Sequence, residues 1–332
     1  MLGKSLVSLP FVALAVLCWG LYGPALHEGQ AELGDFVDGK LEPSRLRAFI
    51  CVGVAYFLVA VLPSQLWLSS RGEKGRWTWS GSFWSLAAGL AGAVGALGVI
   101  LAFANRGSPI YVMPLVFGLA PVVNTLTTMT MARTFKKAPP AFLIAIGVVA
   151  VGAGGVWIFS PAQKGSLNFS ELTISQVTFI AMSIALTALS WGMYGPVLHQ
   201  GQAKMHGSRL RPFLCVGLAY FVVAVLAPVA MMPAYDEPGS WQVGGTLWSL
   251  AAGGVGAIGA LGVILAFNFG GRPIFVMPLV FGGAPVVNTA VSMAVAKSMG
   301  PISGAFLVSL VLVIAGAAAV LIFAPRAKNR GR

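Results

Sequence analysis

Charge is what this chain has least of. Of its 332 residues 9% are charged and 57% hydrophobic. A soluble domain carries about 25% charged residues, so composition alone excludes a soluble globular protein and leaves a bilayer protein. Acidic residues are scarcest, at nine. Glu28, Glu32, Asp35, Asp38, Glu42, Glu73, Glu171, Asp236 and Glu237 all fall in loops or at the ends of apolar segments. Proton relays and cation sites in transporters place a carboxylate at depth, so carboxylate-mediated proton symport is not expected. No GxxxxGK[ST] stretch occurs, which leaves ATP-driven pumping by this chain without support. The three cysteines, Cys18, Cys51 and Cys215, sit inside apolar segments without a CxxC pair. Neither a disulfide framework, a metal site nor any other cofactor is expected. The net charge of +12 is spread between apolar segments rather than along one stripe. It reads as a set of topology signals, and no nucleic-acid partner is expected.

What the chain has in abundance is its own repetition. Trp19-Gly20-Leu21-Tyr22-Gly23-Pro24-Ala25-Leu26-His27 returns as Trp191-Gly192-Met193-Tyr194-Gly195-Pro196-Val197-Leu198-His199. The stretch from Trp84 to Asn124 returns from Trp248 to Asn288, with about 32 of 41 positions identical. The offset between copies is 172 at Trp19 and 164 at Trp84. The difference falls in the loop before the second helix, where the first copy carries the acidic segment from Glu32 to Ser44. An insertion in a surface loop leaves the helices in register.

Apolar stretches of roughly 20 residues are long enough to span a bilayer. Ten occur, near Leu6–His27, Leu46–Leu68, Phe83–Ala104, Pro109–Met131, Ala141–Ser160, Thr173–His199, Leu210–Met232, Leu247–Phe269, Pro273–Ala296 and Ile302–Ala324. Residues 1–25 have signal-peptide character, but the same pattern recurs internally at Trp191, so a retained helix is expected. The expected fold is an all-α polytopic membrane protein of ten transmembrane helices, as two five-helix repeats over residues 1–165 and 166–332. An odd number of helices per copy inverts the second relative to the first. With the N-terminus inside, 15 of the 21 basic residues fall on the inner side. Arg71, Lys74 and Arg76 follow the second helix, whereas the matching loop after the seventh carries Asp236 and Glu237. Both termini are therefore expected in the cytoplasm, and the location as a bacterial plasma (inner) membrane.

Trp19-Gly20 and Trp191-Gly192 in the first helix of each copy resemble the pattern of the drug/metabolite transporter superfamily, in its EamA-type arrangement. So do the mid-membrane prolines Pro121 and Pro285 and the glycine-rich fifth helix from Gly147 to Gly155. The resemblance covers nearly the whole chain. It implies two inverted five-helix repeats and a permease function, in a superfamily that carries amino acids, sugars, nucleotide-sugars and cations.

Candidate transport residues follow from pairs that both copies share. Pro114 and Pro121, matched by Pro278 and Pro285, each delete a backbone hydrogen bond. Bilayer offers no water to replace it, so they are candidate hinges beside a cavity, with a plain packing kink as the alternative. Asn124-Thr125 and Asn288-Thr289 must find partners in hydrocarbon, either a solute or a neighbouring helix. Trp19, Tyr22, Trp191 and Tyr194 share a turn with glycine and proline and would suit stacking on a sugar or ring, with interfacial anchoring as the alternative. His27 and His199 are candidates for proton-linked chemistry. The competing reading is a solvated histidine at a helix end. Arg45, Arg47, Arg209 and Arg211 are expected to set topology or meet lipid headgroups.

The expected function is alternating-access transport of a small polar solute or metabolite, facilitated or by exchange, with no enzyme activity. The expected partners are that solute and the lipid bilayer, with a homodimer also compatible. The alternatives are a non-transporting scaffold or partner subunit, or a membrane enzyme acting on a lipid-linked substrate.

Overall fold

The structure is a computed structural model that describes residues 7–134, 138–161, 171–235, 237–269, 273–295 and 301–324. Among the described residues the chain forms ten helices: α1 (Leu9–Leu33), α2 (Leu46–Ser70), α3 (Trp79–Ala104), α4 (Pro109–Ala132), α5 (Pro140–Ile158), α6 (Ile174–Lys204), α7 (Leu210–Met231), α8 (Val243–Asn268), α9 (Pro273–Val295) and α10 (Gly304–Ile322). Among the described residues nine are long and apolar enough to cross a membrane; the apolar stretch of α9 covers Leu279–Val295. The protein is an integral membrane protein, with the lipid bilayer as its solvent.

Local sequence starts the helices where expected. The Thr78 hydroxyl accepts from the Gly81 amide and the Ser303 hydroxyl from Phe306, each satisfying a free N–H of the first turn. Thr173 and Gln176 form a reciprocal capping box at α6. Pro109 and Pro140 open α4 and α5, where a missing N–H is not needed. The helix of α4 runs unbroken through Pro114 and Pro121.

Two ends differ from the sequence reading. α1 continues six residues beyond His27 and α6 five beyond His199, so neither histidine terminates its helix. Polar Glu28 and Gln30 look like a loop, yet Gln30 is buried and bonded to carbonyls of other elements. The insertion after α1 folds as an antiparallel hairpin, β1 (Asp35–Val37) with β2 (Lys40–Glu42). Its turn is Asp38-Gly39, both with positive φ (51° and 74°), as a two-residue hairpin turn requires.

α7 carries one inserted residue, relative to α2, between its tyrosine and its proline. Tyr56 and Tyr220 are 164 positions apart, but Pro63 and Pro228 are 165 apart. A π-turn at Val222–Leu226 absorbs the extra residue without breaking the helix.

Packing is reciprocal between the copies. α1 lies against α8 and α9, while α6 lies against α3 and α4; α2 meets α7, α4 meets α9, and α5 meets α10. The main buried cluster accordingly draws Phe103, Tyr111 and Phe117 from one copy and Phe281, Phe306 and Val313 from the other. Lipid tails are as apolar as leucine, so such association rests on close packing. Gly95 lies under the Trp191 indole and Gly259 under that of Trp19, and a Cβ at either would overlap the ring.

The loops repeat this exchange. Glu237, between α7 and α8, accepts from the Arg45 and Leu46 amides at the start of α2 and from the Ser44 hydroxyl. It also pairs with Arg47 at 3.0 Å. Glu73, between α2 and α3, accepts from the Arg209 amide (2.9 Å) and the Ser208 hydroxyl (2.6 Å) at the start of α7, with Arg211 at 3.7 Å. A carboxylate at a helix N-terminus meets both free N–H groups and the positive end of the helix dipole. Arg47 and Arg211, expected to set topology or meet lipid headgroups, thus pair with protein carboxylates.

Candidate functional site

A cavity of about 410 Å³ lies between the two copies. Its inner wall is the Tyr56–Tyr220 pair, stacked at 3.7 Å with planes 3° apart. Trp19 and Trp191 flank it. The Trp19 indole N–H donates to the Gly256 carbonyl (3.2 Å) and that of Trp191 to the Gly92 carbonyl (3.1 Å). With their only donors engaged, both indoles are fixed in orientation. Phe117 and Phe281, 6.3 Å apart, complete the aromatic lining.

The polar groups lining the cavity are the hydroxyls of Tyr22, Tyr56, Tyr194 and Tyr220, the amides of Asn124 and Gln202, and the His199 ring. Among the described residues no Asp, Glu, Lys or Arg lines it. Tyr22 is 4% exposed, and its buried hydroxyl has no hydrogen-bond partner. An orphaned hydroxyl in a low-dielectric site is costly until something meets it.

The cavity reaches the surface beside His199, which is exposed. At the other end the matching residues are packed shut. Gln30 is 0% exposed, and its side-chain amide donates to the Ser44 carbonyl (2.9 Å) and the Ile100 carbonyl (3.1 Å). Its counterpart Gln202 is half-buried on the cavity wall, which Ile264, the counterpart of Ile100, also lines. Asn288 is 0% exposed and donates to the Pro109 carbonyl at 2.7 Å, whereas Asn124 lines the cavity. Met113 is fully buried, but Met277 stands at the cavity. A Cβ at Gly23 would meet both Met113 and Asn288; at Gly195 it would meet only the Asn124 amide, 2.9 Å away.

Of the residues singled out in the sequence, Trp19, Tyr22, Asn124, Trp191, Tyr194 and His199 share this cavity. Thr125, Asn288 and Thr289 are buried away from its lining. His27 lies edge-on to Phe103 at 5.3 Å. Pro114, Pro121 and Pro285 are buried within their helices, and the side chain of Pro278 falls outside the described residues. The sequence reading missed Tyr56 and Tyr220, Phe117 and Phe281, and Gln30 and Gln202. Each is a pair at matching positions of the two copies, the signal that had already marked the tryptophans.

Fold and cavity together define a ten-helix integral membrane protein with a central aromatic chamber. No family model and no curated protein matches the chain. One solved structure, described only as a crystal structure of a protein, aligns over 96% of this chain and 97% of its own, at 19% identity and a TM-score of 0.57. At that identity the likeness is one of fold.

Proposed function

We propose that the protein is a transporter that moves a small, uncharged, ring-bearing polar solute by alternating access. The observation that carries this reading is the contrast between matched residues at the two ends of one chamber. Two copies of nearly the same sequence have nearly the same intrinsic preferences, so either copy's end can adopt either packing at similar free energy. Exchanging the packed and open arrangements would close the His199 end and open the His27 end around a fixed central site. Duplicated halves with a site at their interface support that motion, and opposite insertion of the two five-helix units, over residues 1–165 and 166–332, would supply its symmetry.

The lining favours the solute class. Indole and tyrosine faces stack on a flat ring, while tyrosine hydroxyls and the Asn124 and Gln202 amides meet its polar edges. A fully charged solute would give up hydration with no opposite charge to receive it. The volume falls within the range of small-molecule sites, about 300–1,000 Å³. With both termini in the cytoplasm of a bacterium, as the basic loops favour, the His199 end would face the cytoplasm. Flux would then be facilitated or by exchange, in the manner of the EamA-type permeases that the sequence resembles, with no chemical step.

The test is reconstitution in liposomes with a pooled panel of neutral, cationic and anionic metabolites, reading trapped solutes by mass spectrometry. Uptake of neutral ring compounds, reduced by Trp19→Ala or Trp191→Ala, is expected. Folded protein in sealed vesicles that moves nothing from the panel would overturn transport; uptake restricted to charged solutes would overturn the solute class.

A further inference from the structure

We propose that Gln30 and Gln202 are reciprocal latches, each holding one end of the chamber shut while the other is free. This rests on the transport reading above and assigns its switch to named groups. At the closed end one side chain joins three elements. Gln30 belongs to α1, and its amide donates to Ser44, just before α2, and to Ile100 in the last turns of α3. The Ser44 amide in turn donates to the Gln30 main-chain carbonyl at 2.9 Å. Ser44 also carries the Glu237 contact, so the latch is tied to the loop between α7 and α8.

The second copy holds the same parts unassembled. Gln202, Ser208 and Ile264 match Gln30, Ser44 and Ile100 in the repeat. Gln202 and Ile264 both line the open chamber, and the Gln202 side chain makes no hydrogen bond among the described residues. In the opposite state the Gln202 amide donates to the Ser208 and Ile264 carbonyls, and Gln30 stands free at the chamber wall. The latch is built to release. The Gln30 side-chain oxygen is buried with no partner, so two donated bonds are held against one orphaned acceptor. Water reaching an opened end would satisfy all three groups.

The experiment needs no substrate. In a background lacking Cys18, Cys51 and Cys215, a reporter cysteine replaces Leu26 or its counterpart Leu198. Leu26 is fully buried, while Leu198 lines the chamber. Each is labelled in proteoliposomes with a membrane-impermeant maleimide. With both glutamines present, Leu198→Cys is labelled much faster than Leu26→Cys. Gln30→Ala is expected to raise Leu26→Cys labelling by about tenfold and to lower that of Leu198→Cys, since two bonds that favour one state are lost. A purely structural role would loosen both ends together and would not move the reporters in opposite directions.

Gln202→Ala removes the latch of the other state. It should leave Leu198→Cys reactive, protect Leu26→Cys further and slow solute exchange. If folded Gln30→Ala and Gln202→Ala proteins label both reporters as the parent does, the latch is wrong. Solute flux with unchanged labelling leaves transport standing and removes the latch. Opposed labelling without flux of any solute keeps the latch and removes transport.

Discussion

The His27 end and the His199 end are built from nearly the same residues and differ in how tightly those residues are held. At the first, Gln30, Met113 and Asn288 are fully buried and interlocked; at the second, Gln202, Met277 and Asn124 border open space. A chemical difference between the residues cannot be the cause, since each pair has the same side chain. The two arrangements are two packings of one local sequence. A packed core is bistable rather than continuously deformable, so a duplicated chain can hold one packing at each end. The two ends also differ by an insertion. The hairpin from Asp35 to Glu42 exists only in the first copy and lies at the closed end, where Leu33 and Gly34 abut Gly239.

The sharpest break in this comparison should come from the loop carboxylates. The side chain of Glu237 is 4% exposed and that of Glu73 14%. Glu237→Ala leaves Arg47 and the first amides of α2 buried without their partner, and should cost about 3 kcal/mol of stability. Glu73→Ala, at the open end, should cost about half of that, because water reaches the exposed groups. Denaturant unfolding in detergent measures both. Equal losses would mean that the two ends are held alike.

A smaller effect is expected where an indole rests on a glycine. Gly259→Ala forces its new methyl into the Trp19 ring and should cost about 2 kcal/mol, as overpacking does. The displaced indole loses its bond to Gly256, so quenching of tryptophan fluorescence by a bound neutral ring compound should fall too. Unchanged quenching would remove Trp19 from the binding wall.

The asparagines sharpen the comparison most directly, since one substitution should act differently at each end. Asn288→Ala loses the bond to Pro109 and should destabilise the fold by about 1 kcal/mol. Asn124→Ala should stay within about 0.5 kcal/mol of the parent and reduce solute flux instead. If both substitutions lower stability alike, Asn124 serves packing rather than the solute.

Much of the architecture was legible in the chain. Apolar length placed all ten helices, because in hydrocarbon each backbone donor must find its acceptor within its own helix. Pairing of the copies marked Trp19 with Trp191 and Tyr22 with Tyr194 before any contact was known. Other features were harder to read. The hairpin had a signal in Asp38-Gly39, overshadowed by the acidic character of its loop. The helical run past His27 was hidden because polarity at Glu28 and Gln30 mimics a loop when their partners are unseen. The π-turn in α7 was signalled only by a one-residue slip between Pro63 and Pro228.

The sequence by itself determined that this is a ten-helix membrane protein with two matched halves, because span length and self-similarity are local properties of the chain. Only the tertiary structure decided which end is shut. Gln30 and Gln202 sit in near-identical surroundings along the chain. What separates them is a pair of bonds to Ser44 and Ile100, 14 and 70 positions away, that one copy has formed. Long-range contacts of that kind are made by packing, which near-identical local sequences do not settle by themselves.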